Sequence, residues 1–404
     1  MTETSSFEHA EPKGLSDGSK SHDTPGLKRR EFLAIGALPL AAAVGPVNLV
    51  SPRGASVKRS QQEPIRIGMI GAGTNLRTVQ IPAFRRIPGC EIVAVANRSM
   101  ESGRVIADQF NIPQVYGDWR ELLDDESINA VCIGTWPYMH LTMTRAALEK
   151  GKHVLTEARM ASTAEEAREM LKLSRRHPDL VTMLTPTSTA YRVERVIRGM
   201  LDEGYLGELL SVEVHALQTG FADRMGDLHW RHDWEMSGYN TLNIGAQYET
   251  MSSWLGRANR VMAMGKTHVP YRRNGSGEIV SVGIPDHLDV MYELATGAQV
   301  HMRFSATTGL STGNQIWMYG TEGTIHIGPG AAIFAGRRGD SQLTEVPNPE
   351  DQRAGYRVEE EFTNAIRGLE QVKHNSFEIG VHYMEWTEAV ARSVQTGQSV
   401  NLPL

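Results

Sequence analysis

The sequence predicts an α/β protein in two parts: an amino-terminal doubly wound parallel sheet, then a carboxy-terminal α/β domain with an open, mostly antiparallel sheet. Three observations carry this. Between Pro64 and Thr185, short β-branched runs alternate with helical segments, the pattern of a parallel sheet covered on both faces. The first of those runs ends in Gly71-Ala72-Gly73. After Thr185 the strands crowd together with turns such as Ala295-Thr296-Gly297 between them, as antiparallel neighbours do.

With 404 residues, 40% of them hydrophobic and 22% charged, the chain can bury at least one full core. A formal charge of −6 gives no net attraction to nucleic acid or to an anionic bilayer, so a small molecule is the expected partner. Cys90 and Cys132 are the only cysteines, which excludes a disulfide scaffold and a cysteine-built zinc site. No metal is expected, because His229 and His232 lie three apart without a specified third ligand.

Residues 1–62 read as a disordered start, a signal and a linker. The first 26 are rich in Ser, Gly, Asp, Glu and Pro and cannot repay ordering entropy. Lys28-Arg29-Arg30-Glu31-Phe32-Leu33 then leads into an apolar run over 34–50, the arrangement of a twin-arginine export signal. A membrane span is the alternative, but about 17 residues interrupted by Gly36, Pro39, Gly45 and Pro46 suit a ~30 Å hydrocarbon layer poorly. No Ala-x-Ala site follows, so cleavage and retention as an anchor both stay open. The expected location is extracytoplasmic or periplasmic. The twin-arginine route carries folded proteins, which fits a chain that acquires a nucleotide before export.

Residues 63–186 form the expected nucleotide-binding domain, with strands over 65–70, 91–96, 130–133, 153–156 and 181–185 and helices over 75–86, 100–110, 140–150 and 163–176. A helix opening just after Gly71 and Gly73, through Thr74 and Asn75, presents free N–H groups to a pyrophosphate. The third glycine of the fingerprint is replaced by Leu76. Asn97 follows Gly73 by about 24 residues, near the spacing at which an acid would grip a ribose hydroxyl. Here Asn97-Arg98-Ser99 can accept a 2′-phosphate, which tilts the cofactor toward NADP, with NAD the alternative. Residues 187–404 form the expected substrate and oligomerisation domain: a helix over 193–203, strands over 209–217, 261–267, 288–295, 299–305, 315–319 and 324–327, and helices over 355–368 and 377–396.

Several spaced blocks resemble the glucose-fructose oxidoreductase, inositol dehydrogenase and MocA family (Gfo/Idh/MocA): Gly71-Ala72-Gly73, Pro137 with His140, Gly151-Lys152-His153-Val154-Leu155, Asp202-Glu203-Gly204 with Leu206-Gly207-Glu208, Tyr319-Gly320-Thr321-Glu322-Gly323-Thr324, and Glu388-Ala389 with Thr396-Gly397. The resemblance implies a Rossmann domain, a second domain whose sheet joins subunits into a homo-oligomer, and redox chemistry on sugar or cyclitol hydroxyls. It also implies cofactor contacts from Trp136, Pro137, His140, Glu157 and Arg159.

The catalytic positions depart from the family. Its Glu-Lys-Pro block falls on Glu157-Ala158-Arg159, and its aspartate and histidine fall on Asn243 and Gln247. Oxidising a carbinol requires that the hydroxyl proton leave, and neither amide titrates, although both can orient hydroxyls. Asp227-Leu228-His229-Trp230-Arg231-His232-Asp233-Trp234 offers a replacement: His232 or His229 as base, Asp233 to orient it, and Trp230 and Trp234 against sugar faces. Tyr239 is a further acid candidate, Tyr191 a further substrate contact, and Arg159 could face an anionic substrate or a cofactor phosphate. Three functions fit: an NAD(P)-dependent sugar or cyclitol oxidoreductase, a glycoside-cleaving enzyme that uses bound NAD(P) for transient oxidation and elimination, and a redox-inactive sugar-binding protein.

Overall fold

The computed structural model describes residues 63–186, 191–350, 353 and 357–404; the paired arginines and the apolar run over 34–50 lie outside them. The first sheet comprises β1 (Ile65–Ile70), β2 (Cys90–Ala96), β3 (Gln114–Tyr116), β4 (Ala130–Ile133), β5 (His153–Thr156) and β6 (Thr182–Leu184). They pair in the order β3-β2-β1-β4-β5-β6, every pair parallel. Helices α1 (Ile81–Phe84), α2 (Met100–Phe110), α3 (Trp119–Asp124), α4 (Pro137–Glu149) and α5 (Ala164–Arg176) lie between the strands in sequence. One sheet face buries Ile67, Met69, Val95 and Cys132, the other Ile70, Ala94, Val131 and Ile133. Burial on both faces is why β4 is apolar throughout rather than alternating. Successive connections run to opposite sides of β1, and the crevice between β1 and β4 is where such a sheet receives its ligand.

The helix expected over 75–86 is present without a break over 74–84 but is not regular α throughout. Leu76–Gln80 winds as a π-helical turn, and α1 begins only with Pro82 in its first turn. Proline donates no N–H and crowds the preceding turn, so regular α geometry cannot run through it. β3 and α3, missed in sequence, are three and six residues long, too short to show a period.

The second part contains α6 (Tyr191–Asp202), β7 (Leu209–Leu217), α7 (Trp234–Ser237), α8 (Ile244–Leu255), β8 (Ala258–Lys266), β9 (Tyr271–Arg273), β10 (Ile279–Ser281), β11 (His287–Leu294), β12 (Gln299–Ser305), β13 (Gln315–Gly320), β14 (Gly323–Ile327), β15 (Ile333–Arg337), β16 (Thr344–Val346), α9 (Val358–Ile366), α10 (Phe377–Thr396) and β17 (Val400–Asn401). Nine strands pair as β16-β15-β14-β13-β7-β12-β11-β8-β17, with only β12–β7 parallel, while β9 and β10 pair separately. Val212, Val214, Val300, Met302 and Phe304 point into the core shared with α8 and α10. Alternate residues point the other way, leaving Met262, Met264 and Met291 exposed.

The late helices divide their work. Phe362 of α9 meets Phe84 edge-on at 6.4 Å, so α9 covers the first sheet. On α10, Trp386 is fully buried and stacks on Tyr248 with centroids 4.3 Å apart. The same helix holds the chain leaving β5: the Met160 N–H donates to the Tyr383 hydroxyl at 2.7 Å, and the Ala164 N–H to Glu388 at 2.9 Å. Gly397 at φ +67° ends α10 in the left-handed conformation that glycine tolerates best.

Candidate active site

The turn after β1 is built for close approach. Gly71 sits at φ +74°, and a Cβ there would lie 2.5 Å from Thr135 Cγ2 and 3.0 Å from the Thr135 nitrogen. Leu76, in the place of the third glycine, is buried. The space it fills comes from across the sheet, since a Cβ on Gly134 would lie 2.2 Å from its Cδ1. Gly134 therefore supplies the close helix–strand packing that the fingerprint assigns to glycine, and its position at the end of β4 was the available sequence signal. The N–H groups of Thr74 and Asn75 make no hydrogen bond among the described residues, which leaves donors facing outward where a pyrophosphate binds.

A crevice of about 590 Å³ opens over this turn, lined in part by Gly71, Gly73, Arg98, Trp119, Trp136 and Tyr138. It meets the steric and donor requirements of a dinucleotide. The trio expected to receive a 2′-phosphate is reduced to one free group. Asn97 accepts from Ala72 N at 2.7 Å and donates to the Ser102 carbonyl, and Ser99 caps α2 through Ser102. Only Arg98 is exposed and uncommitted. Pro137 is buried in the first turn of α4, whereas Trp136 lines the crevice and stacks on Tyr138. His140 does not line it. It is 1% exposed, with one ring nitrogen 3.0 Å from the Thr135 carbonyl and the other 3.0 Å from that of Arg159. Burial draws its pKa down, and its role is to tie the ends of β4 and β5 together.

The chain leaving β5 borders a second set of polar groups. Glu157 is buried and accepts from Asn75 at 3.1 Å. Burial pushes its pKa up, against the pull of Asn75, Thr185 and the Arg159 charge. The Ala158–Arg159 peptide is cis. The histidine-rich segment docks on this chain, as the Tyr239 N–H donates to the Ser162 carbonyl and the Asn240 side chain to that of Ala161. Gly238 allows it, because a Cβ there would lie 2.3 Å from Ser162 O.

Within that segment, the expected roles change. Asp233 orients neither histidine: its Oδ1 accepts from the Glu235 and Met236 N–H groups and caps α7. His229 Nδ1 accepts from Arg231 N, and His232 Nδ1 accepts from His229 N, each at 3.2 Å. A neutral ring with Nδ1 as acceptor carries its proton on Nε2, so both rings present a donor outward rather than a base. Burial and then the Arg272 and His229 charges hold His232 down at about 4, with Asp286 opposing; burial and Arg231 lower His229. Arg231 lies over the Trp230 ring at 4.3 Å, and Trp234 meets Tyr239 edge-on at 4.9 Å.

Asn243 is the N-cap of α8, exposed at φ +58°, and its carbonyl accepts from the Gln247 N–H at 3.4 Å. Gln247 is half-buried one turn on, and the side chains of both are uncommitted. Tyr191 opens α6, with its side chain outside the described set. Tyr383, which receives Met160 N and underlies Arg159 at 5.6 Å, was missed; it lies more than 200 residues away in sequence, and no local pattern marks it.

A parallel sheet with a glycine turn at its switch point, joined to a sheet domain that delivers a polar segment to the same edge, defines a dinucleotide-dependent oxidoreductase. Residues 65–185 match the family described as "Oxidoreductase family, NAD-binding Rossmann fold", and residues 195–326 match the "GFO/IDH/MocA C-terminal domain". The chain belongs to the Gfo/Idh/MocA family. Levoglucosan dehydrogenase of Pseudarthrobacter phenanthrenivorans is 26% identical over 319 residues, covering 73% of this chain and 79% of that protein. The 1,5-anhydro-D-fructose reductase of Ensifer adhaerens is 28% identical over 350 residues, covering 83% and 98%. In three dimensions, a levoglucosan dehydrogenase complexed with NADH and levoglucosan superposes with a TM-score of 0.73 at 22% identity, covering 85% of this chain and all of that one.

Proposed function

We propose that this protein oxidises a hydroxyl, or reduces the matching carbonyl, of a sugar or cyclitol with NAD(P) held in the β1–β4 crevice. The observation that carries the reading is the docking of the 229–240 segment on the chain leaving β5, which sets indoles and outward N–H donors beside the sheet edge. When bound, the nicotinamide supplies hydride transfer. The chain supplies the rest: Trp230 and Trp234 offer apolar faces, Asn243 and Gln247 orient hydroxyls, and the Nε2–H groups of His229 and His232 donate to substrate oxygen. Glu157 is the buried carboxyl whose pKa burial raises above the usual carboxylate value, which makes it a candidate to hold a proton beside the substrate.

The test is to follow nicotinamide absorbance while full-length protein meets a panel of sugars and cyclitols with each dinucleotide. Net reduction or oxidation with any of them supports the proposal. Aglycone release without net redox change would replace it with a glycosidic elimination, and neither signal over a broad panel would leave a binding protein. The free Arg98 favours NADP through a charge-assisted contact with the 2′-phosphate. Arg98→Ala is expected to weaken NADP(H) binding about 10-fold and NAD(H) less than about 2-fold, measured by fluorescence titration.

Two further elements complete the proposal. The paired arginines before the apolar run support export to the periplasm by the twin-arginine machinery. The outer face of the second sheet, with Met262, Met264 and Met291 exposed and Trp317 stacked on His326 at 3.7 Å, supports assembly of a homo-oligomer through that face.

A further inference from the structure

Arg159 is 94% buried, yet its guanidinium forms no hydrogen bond or ion pair among the described residues, and its Nε is sealed without an acceptor. Its surroundings are the Tyr383 ring and α8. A Cβ on Gly245 would lie 3.1 Å from Arg159 Nε, so the helix carries glycine where the guanidinium passes. Arg231 lies close enough for the charge of Arg159 to lower its pKa, which burial and that repulsion bring to about 10. Among the described residues it too has no carboxylate partner, only the Trp230 face. Arg272 adds a third cation: its Nε is buried without an acceptor among the described residues, and β9 pairs with the stretch just before His229.

Among the described residues no acid makes an ion pair with Arg159 or Arg231, although Glu157 feels the Arg159 charge and Asp223 lies beside Arg272. Glu157 is held by Asn75, and Asp286 accepts the His268 and Val269 N–H groups. Like charges gathered in a partly dry site, with donors unsatisfied, are costly unless something brings negative charge and acceptor lone pairs. Arginines recognise planar or tetrahedral oxyanions through paired N–H bonds. The pyrophosphate is not that partner, because Arg159 packs on α8 and α10 rather than on the glycine turn.

We propose that the substrate of this enzyme is an acidic sugar, and that Arg159 and Arg231 bind its carboxylate or phosphate while His229 and His232 donate to neighbouring oxygens. The inference rests on the substrate lying between the 229–240 segment and α8. It requires no redox step of its own.

The test is calorimetric titration of the protein–NADH complex with glucuronate, glucose 6-phosphate and glucose at low ionic strength, repeated with Arg159→Met, Arg159→Lys and Arg231→Met. We expect at least one acidic sugar to bind 10-fold or more tightly than glucose. The better ligand of the two tells carboxylate from phosphate. Arg159→Met should remove at least about 30-fold of that affinity, Arg159→Lys should restore part of it, and NADH binding should stay within about 2-fold. If Arg159→Met does not fold, Arg231→Met on the more open side of the cluster gives the same comparison. Equal binding of glucose and the acids, or loss of NADH affinity in parallel with the acid's, overturns the inference. Acid binding without turnover of any sugar would keep the anion site and sink the oxidoreductase reading; turnover indifferent to sugar charge would do the reverse.

Discussion

Gly71→Ala is expected to lower NAD(P)H affinity by at least ~100-fold, the largest single-residue effect on cofactor binding that this site offers. Two costs combine. The residue must hold φ +74°, where an L side chain is strained, and its Cβ would press on Thr135 Cγ2 and on the Thr135 nitrogen. The side chain can turn aside, but the backbone can give way only by displacing the end of β4 and so distorting the crevice. Gly73→Ala separates fold from function. A Cβ there would have no protein atom closer than 3.8 Å, so the melting temperature should stay unchanged. Affinity should still fall by about 10-fold or more, because the methyl would occupy the approach of the pyrophosphate. Fluorescence titration with NADPH and thermal melts of both variants check this. Full affinity in Gly73→Ala would place the phosphates elsewhere.

The same turn shows what the sequence made legible. Gly71-Ala72-Gly73 could be read because phosphate binding imposes a local backbone demand that only glycine satisfies. The compensation of Leu76 by Gly134 could not, since it depends on β4 lying beside β1. The strand–helix alternation declared the parallel sheet, and the turns declared the second one, since both follow from short-range patterning. The roles inside 227–234 were less accessible. Residue types alone suggested an Asp–His pair, but Asp233 caps α7 and both Nδ1 atoms face backbone N–H groups. Local hydrogen bonds fixed the tautomers, and composition does not show these. The absence of a hydrogen-bond acceptor for Arg159 Nε among the described residues was equally hidden. A sequence shows that an arginine is present, whereas the missing partner appears only when every neighbour is in place.

That arrangement depends on α10, which leads to the largest expected effect on stability. Trp386→Ala is expected to cost about 3–5 kcal/mol, the range for removing a large buried aromatic. The indole is fully buried, parallel to Tyr248 and edge-on to Tyr292 at 5.8 Å. Its truncation empties the seam where α8, α10 and the inner face of the second sheet meet. Trp386→Phe should cost much less, below about 2 kcal/mol. Phenylalanine keeps a ring to stack on Tyr248, and it removes the indole N–H, which is buried without a hydrogen-bond partner among the described residues. Denaturant unfolding of the two variants measures the difference. The alanine variant should also lose activity below its melting temperature. Tyr383 stands one turn earlier on α10, receives the Met160 N–H and supports Arg159, so a loosened helix frees the chain leaving β5 on which the 229–240 segment docks. If Trp386→Ala proved fully active while strongly destabilised, α10 would be a support for the sheet alone, and the substrate groups would be held by α8 and the segment itself.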